Sequence, residues 1–240
     1  MKKLVWLLII TSNWLLLSVY CHATPSTQIW NPSTDIQSLN VWHLGIDNYF
    51  SVTDNKTNPI NVPTDVNLTY GLCKNLEVGF DFYGANYFGA PNDPLQFNAK
   101  YGLPEGAVMP AIAVGGMDFG TQPNATDFDI VYALIAKTFK PIGRFSVGYY
   151  SGNSKLLLDQ NGASASTGAI VSWDKQISDK WWASIDCSTG NSWYGVTSFG
   201  GSYAFAPNTS VIIAYVIPND PYAVNGYGNH MVTTQLDINF

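Results

Sequence analysis

The chain has 240 residues, of which 46% are hydrophobic, 14% aromatic and only 12% charged, and its formal net charge is −6. Because soluble proteins carry roughly 25% charged residues, this composition fits a chain surrounded by lipid better than a water-soluble domain. The acidic balance argues against nucleic acid as a partner, since that binding needs a basic surface.

The first residues have the order of a secretory signal peptide. Met1-Lys2-Lys3 precede an apolar run from Leu4 to Val19, and the small Ala23 follows. We therefore predict a cleaved signal peptide over 1–23, a periplasmic lead-in over 24–39 and an outer-membrane β-barrel over 40–240. Beyond the signal peptide no segment approaches the roughly 20 apolar residues of a membrane-spanning helix.

From residue 40 onward, apolar and polar side chains alternate with the period of a β-strand. Trp42, Leu44 and Ile46 alternate with His43 and Asp47 in the first such segment. In the segment 127–137 the apolar face, predicted to point outward, comprises Phe128, Ile130, Tyr132, Leu134 and Ala136. Two segments, 107–119 and 210–217, are apolar on both faces, so their orientation is not given by the pattern.

The connections between these segments alternate in length. Short polar turns are predicted at 74–75, 104–106, 140–141, 178–179 and 207–208. Longer loops are predicted at 54–63, 84–93, 119–126, 151–161, 188–193 and 218–229. This alternation is typical of up-and-down barrels and not of Greek-key sandwiches. The sequence therefore predicts an all-β fold, a transmembrane up-and-down antiparallel β-barrel of about 12 strands.

The strand ends and the last strand also indicate a membrane barrel. Aromatic residues recur near both ends of the predicted strands, where the two interfaces of a bilayer would lie. The closing segment 231–240 alternates and ends on Phe240, which resembles the C-terminal signal strand of bacterial outer-membrane proteins. Expected partners are therefore the barrel-insertion machinery, through Phe240, and outer-membrane lipid and lipopolysaccharide.

One hairpin carries a resemblance to a known family. The Tyr70-Gly71-Leu72 sequence, a turn, Leu76-Glu77-Val78-Gly79 and then the segment 97–102 resemble the outer-membrane barrels of the meta-pathway phenol-degradation transporter family. The resemblance covers about a third of the mature chain and the closing strand. It implies passive passage of a small solute, such as an aromatic or apolar molecule, and no catalytic motif.

With the apolar faces outward, the polar faces line the barrel interior. The predicted lumen-lining residues, which are the candidates for solute binding, are His43, Asp47, Tyr49, Glu77, Asp81, Gln96, Asn98, Lys100, Asp129, Lys137, Arg144, Asp186, Gln235 and Asp237. They fit a selective channel of mixed charge. They equally fit a polar core that plugs the barrel, in which Glu77 and Asp81 pair with Lys100.

The sequence supports an enzymatic or metal-binding function less well than transport. Only His43 and His230 follow the predicted signal peptide, and no serine spacing implies a dyad of the kind that barrel-embedded lipid-modifying enzymes use. No calcium-loop spacing occurs either, so we predict no catalytic residue, no metal and no cofactor. A structural or surface-interaction barrel remains an alternative function. The pairing of Cys73 with Cys187 is left open.

Overall fold

The computed structural model describes residues 26–52, 64–83, 95–224, 226 and 228–240. The predicted signal peptide and the predicted loops 54–63 and 84–93 lie outside these ranges. The described chain is all-β, with strands β1 Trp42–Ser51, β2 Asp65–Cys73, β3 Leu76–Tyr83, β4 Leu95–Leu103, β5 Ala111–Gly120, β6 Asp127–Phe139, β7 Gly143–Ser151, β8 Thr167–Gln176, β9 Trp181–Ser188, β10 Val196–Ala206, β11 Thr209–Pro218 and β12 Met231–Asn239. Among the described residues, no helix has the length and apolar character needed to cross a membrane.

The strands form one closed antiparallel barrel in which each strand pairs with its neighbours in sequence. Closure occurs between β1 and β12, where Leu44 lies opposite Ile238. Trp42 and Phe240 extend this pairing, because each backbone N–H donates to the other's carbonyl oxygen, at 2.8 and 2.9 Å. The predicted up-and-down barrel of about 12 strands is confirmed. Closure leaves no unpaired sheet edge, which is a requirement for strands in lipid.

Short and long connections alternate around the barrel and define its two ends. The short-turn end carries the β2–β3, β4–β5, β6–β7, β8–β9 and β10–β11 connections. The long-loop end carries the other six connections, β1–β2, β3–β4, β5–β6, β7–β8, β9–β10 and β11–β12. Because Trp42 and Phe240 pair at the start of β1 and the end of β12, the barrel begins and ends at the short-turn end.

The outer wall of the barrel is apolar and exposed. Large side chains that lie on the outward face of their strands and are exposed include Phe50, Phe97, Val131, Ile135, Val147, Val171, Ile185, Phe199 and Ile213. Exposed aromatic rings also lie near the short-turn end, on Tyr101, Phe139, Phe145, Trp181, Phe205 and Phe240. A water-soluble monomer rarely exposes so continuous an apolar surface, whereas a lipid-facing wall requires it.

Strand β6 is oriented opposite to the predicted direction. Ile130, Tyr132 and Leu134, expected on the outer wall, are buried inside, while Val131 and Ile135 are exposed outside. The reason is a local apolar core in the barrel interior, where these side chains join Tyr150, Ile170 and two loop residues, Leu157 and Tyr194. Since the middle of β6 is apolar on both faces, these partners decide which face points inward.

Residues 26–37, which belong to the predicted lead-in 24–39, lie within the barrel. Gln28, Ile29, Asn31, Ser33 and Thr34 are all buried. The segment joins the wall where Leu39 forms a parallel bridge with Gly71. A Cβ at Gly71 would collide with the carbonyl oxygen of Ser38, so glycine is what lets the segment pass so close to β2. Below, residues 26–38 are called the inserted segment.

The two cysteines of the described chain lie on separate strands. Cys73 ends β2 and is exposed, whereas Cys187 lies on β9 and is half-buried. Both are free thiols, so no disulfide connects them.

Candidate functional site

The inserted segment folds back on itself as a small hairpin inside the barrel. The N–H of Gln28 donates to the carbonyl of Asn31 at 2.8 Å, and that of Ser33 donates to the carbonyl of Ser26 at 3.0 Å. An antiparallel bridge between Thr27 and Pro32 lies between these bonds. Hairpins this short are not stable alone in water, so the barrel wall must hold this one in place.

Asp186 on β9 holds the tip of the hairpin. Its Oδ2 atom accepts the backbone N–H groups of Ile29 at 2.9 Å, Trp30 at 2.9 Å and Asn31 at 3.1 Å. Its Oδ1 atom accepts the hydroxyl of Ser198 on the adjacent strand. A buried carboxylate needs such partners, and the three N–H groups at the tip are satisfied by one side chain.

A second set of polar contacts holds the middle of the segment and its approach to the short-turn end. The Gln28 amide donates to Asp174 at 3.1 Å. Arg144 donates through Nε to Asp174 at 2.8 Å and through Nη1 to Asp35 at 2.7 Å. This arginine therefore joins two strands of the wall to the segment through charge-assisted hydrogen bonds.

The opposite wall contributes a buried ion pair. Lys100 Nζ lies 3.2 Å from Glu77 Oε1 and donates to the carbonyl of Ser26 at 2.8 Å. Glu77 Oε2 accepts the N–H of Gln37 at 2.5 Å. Both charged groups thus pair with each other and with the two ends of the inserted segment.

Residues of β1 and β12 complete the enclosure. The Gln235 amide donates to the carbonyl of Ile29 at 2.8 Å. His43 lies fully buried between Asn239, 3.2 Å from Nδ1, and Asp237, 3.4 Å from Nε2. The segment is therefore bonded to strands on several sides of the barrel.

Two cavities remain beside the inserted segment. The larger, of about 990 Å³, opens at the short-turn end and is lined by the segment from Thr34 to Ser38 and by Lys74, Lys140, Arg144 and Lys175. The smaller, of about 140 Å³, lies among Trp30, Tyr49 and Asp65, and is called the acidic cavity below. The segment thus separates a basic vestibule from a small acidic space.

Four aspartates, Asp47, Asp65, Asp81 and Asp118, line the acidic cavity. Asp47 and Asp65 lie directly opposite each other on β1 and β2. Asp81 accepts both of its hydrogen bonds, each 2.9 Å, from the amide of Asn98. The hydroxyl of Tyr83 donates to Asp118 at 3.4 Å.

Most of the sequence-predicted residues face the barrel interior. The structure places there His43, Asp47, Tyr49, Glu77, Asp81, Gln96, Asn98, Lys100, Arg144, Asp186, Gln235 and Asp237. They do not form one site. Tyr49, Asp47 and Asp81 line the acidic cavity, whereas Arg144 lines the vestibule and Asp186 and Gln235 bind the hairpin.

Two predicted lumen residues are placed elsewhere. Lys137 pairs in register with the outward Phe145 and contacts Glu105 at 3.0 Å, at the short-turn end. Asp129 lies half-exposed in β6, beside a register shift, with a φ of 48°. Both departures follow from the reversed orientation of β6. Asp129 and Lys137 are odd-numbered, like Val131 and Ile135, so they lie on the face of the strand that points outward.

The main features that the sequence reasoning missed are the inserted segment, Asp118 and Asp174. On β8, Asp174 is even-numbered, whereas the outward Val171 is odd-numbered. The alternation of the strand is therefore enough to place Asp174 inside. Asp118 lies in the segment with two apolar faces, and its φ of 58° coincides with a register shift against β4 and β6. Residues 26–38 carry no periodic signal from which insertion could be inferred.

Comparisons with known proteins give similar folds at low sequence identity. No protein-family model matches the chain, and no curated protein matches it in sequence. Among solved structures it is similar to the NanC porin, with 14% identity, a TM-score of 0.49 and coverage of 83% of this chain and 98% of that one. It is also similar to the COG4313 outer membrane channel from Pseudomonas putida F1, with 10% identity, a TM-score of 0.47 and coverage of 87% and 98%. A mutant porin of Rh. blastica matches with 13% identity, a TM-score of 0.40 and coverage of 94% and 68%.

Proposed function

We propose that the protein is an outer-membrane channel for passive passage of a small solute, and that the inserted segment forms its constriction. The observation that carries this proposal is the contrast between the two faces of a closed barrel. The outer face is apolar around the wall, whereas the inner face carries buried charges of both signs and encloses two cavities. A polar interior inside a lipid-facing wall is the arrangement of a channel.

The size of the solute is limited by the inserted segment. Since twelve strands enclose more space than wall side chains fill, removing the hairpin would join the vestibule to the space around the acidic cavity. With the hairpin in place, the described interior leaves about 140 Å³ next to Trp30. So small a cavity favours small solutes. Larger solutes would pass only if the inserted segment moved.

An aromatic or apolar solute, as the family resemblance implies, has partial support. Aromatic rings line one side of the acidic cavity, with Trp30 5.6 Å from Tyr49 and 6.4 Å from Trp193 between ring centroids. A flux assay with a neutral aromatic and a neutral sugar of similar size would test it. Faster entry of the aromatic solute into proteoliposomes is expected, and equal rates would contradict this specificity.

The channel proposal is tested by conductance of the refolded protein in planar bilayers. We compare the unaltered chain, a deletion of residues 26–38, and Asp186→Ala, which removes the acceptor for the hairpin tip. Small discrete steps are expected from the unaltered chain, and several-fold larger steps from the deletion. Asp186→Ala keeps the whole segment, so it tests the proposal even if the deletion variant does not fold. It is expected to give intermediate or flickering openings. Silence from all three, with insertion verified, would refute the channel.

A plugged structural or surface-interaction barrel is the second candidate. It is favoured by the number of wall groups that bind the segment, including Asp186, Gln235 and the Glu77–Lys100 pair. In that case the unaltered chain stays silent at every voltage and only the variants conduct. We predict no enzymatic activity for either form.

The cellular placement follows the same proposal. Signal peptide 1–23 would direct export, and Phe240 would present the last strand to the barrel-insertion machinery. Removing Phe240 should reduce the heat-modifiable folded form in outer-membrane fractions. Unchanged assembly would contradict the role of this residue.

A further inference from the structure

The acidic cavity has more carboxyl groups than basic side chains among its described lining residues. Five carboxylates line it, those of Asp47, Asp65, Glu77, Asp81 and Asp118, and Lys100 is the single basic side chain among its lining residues. Lys100 pairs with Glu77. The four aspartates therefore share a small buried space without a cationic side chain of their own on its wall.

Two of these aspartates lie directly opposite each other, which brings their carboxyl groups close together. Asp47 and Asp65 are direct cross-strand partners on the inward face of β1 and β2. Like charges in this relation destabilise a sheet, and their repulsion is stronger away from water. A sheet built this way is stabilised by a positive charge between the two carboxylates.

Unused hydrogen-bond acceptors point to the same need. Asp65 Oδ1 is buried and has no hydrogen-bond partner among the described residues, and the side chain is 8% exposed. The Asn98 amide nitrogen donates to Asp81, which fixes the amide orientation and leaves its oxygen, Oδ1, without a partner. The Asn98 amide oxygen and an ionised Asp65 carboxylate only accept hydrogen bonds, so a ligand that satisfies them must donate.

The hydroxyl of Tyr194 is a further polar group at this cavity with no hydrogen-bond partner among the residues described. Tyr194 is 1% exposed and lines the cavity together with Trp193. The two rings lie edge to face, with centroids 5.9 Å apart. Aromatic faces attract cations, most strongly when water is excluded.

The cavity size and its ligands select the kind of cation. At about 140 Å³ the cavity is smaller than the roughly 300–1,000 Å³ pockets that bind drug-sized ligands. Among the described residues, no group of three or more acidic, histidine or cysteine side chains has the spacing to hold a metal ion. A compact ion with several N–H donors and a short apolar part fits the acceptors and the aromatic wall together.

We propose that the acidic cavity binds a small primary alkylammonium ion. The ammonium group lies between Asp47 and Asp65 and donates to Asp65 Oδ1, and its alkyl part contacts the aromatic rings of Trp30 and Trp193. This binding is independent of whether solutes cross the barrel, so its failure and the failure of the channel proposal are separate results.

The test is a titration of the full folded chain in detergent micelles with ethylammonium chloride, followed by tryptophan emission. Sodium chloride at the same ionic strength is the reference. A saturable change with ethylammonium and none with sodium is expected. Tetramethylammonium, which has no N–H donor, is expected to bind about tenfold more weakly. No saturable change, or an equal response to sodium, would overturn the proposal.

Matched variants locate the binding. Asp65→Asn keeps the shape of the side chain but removes the charge, and about a tenfold rise in the ethylammonium dissociation constant is expected. Asp179→Asn, in the exposed β8–β9 turn, makes the same change away from the cavity and should leave binding unchanged. Heat modifiability on gels verifies that both variants fold. Binding by folded Asp65→Asn that equals the unaltered chain would also overturn the proposal.

Discussion

The backbone N–H of Trp30 donates to Asp186 Oδ2 at 2.9 Å, although the two residues are 156 positions apart in sequence. Because the same oxygen accepts the N–H groups of Ile29 and Asn31, one carboxylate on β9 fixes the tip of the inserted segment. Three backbone donors at the tip of the segment therefore share one acceptor on the wall.

Asp186→Ala should loosen the segment and destabilise the barrel. The substitution leaves three buried donors without an acceptor, and we expect a loss of about 3 kcal/mol in the free energy of unfolding. Asp186→Asn retains one acceptor oxygen and should lose less. Urea unfolding of the refolded protein, followed by tryptophan emission, measures both. Equal stability of Asp186→Ala and the exposed control Asp179→Ala would contradict the assigned role.

The Glu77–Lys100 pair should behave as a unit. Lys100→Met leaves the Glu77 carboxylate buried without its cation, and a loss of about 3–5 kcal/mol is expected. Adding Glu77→Gln removes that unpaired charge and should restore most of the stability. The same urea assay measures single and double variants. If the two losses simply added, the residues would not be coupled.

A charge on the outer wall should be tolerated only near its edge. Ile213 is 59% exposed near the middle of β11, and Ile177 is 57% exposed in the β8–β9 turn. In lipid, arginine costs about 2–4 kcal/mol at the midplane and about 0–1 kcal/mol near the interface. Ile213→Arg should therefore reduce the folded fraction in vesicles, measured by gel mobility, far more than Ile177→Arg. Equal effects would argue against lipid contact at Ile213.

Glu105, in the β4–β5 connection, gives the barrel a defined pH response. Hydrogen bonds from Thr138, followed by the nearby Lys137, lower the pKa of Glu105 from 4.5 to about 2. Because the folded pKa lies below the unfolded one, this contribution to stability is fully present above pH 4.5 and is lost as pH falls toward 2.

The measurement is the melting temperature against pH for the unaltered chain and Glu105→Gln. The unaltered chain should melt higher at neutral pH, and the difference between the two should shrink as pH falls from 4.5 to 2. A difference that stays constant over this range would show that the Glu105 charge contributes nothing.

The strands and their connections could be predicted because these features are local. Alternation with period two along β1, β7, β9, β10 and β12 records which side chains meet lipid, and the chain lengths between them determine which connections can be tight turns. For these strands, residues such as His43, Arg144 and Asp186 were placed on the inward face by counting alone.

The rest was decided by contacts between residues far apart in sequence. The middle of strand β6 is apolar on both faces, so its orientation depends on Leu157 and Tyr194, which reach it from the β7–β8 and β9–β10 loops. The inserted segment has no period of its own, and its place depends on acceptors such as Asp186 that lie more than 150 residues away. The sequence by itself determined a lipid-facing barrel; only the tertiary structure decided what fills it, because filling depends on partners that no local pattern encodes.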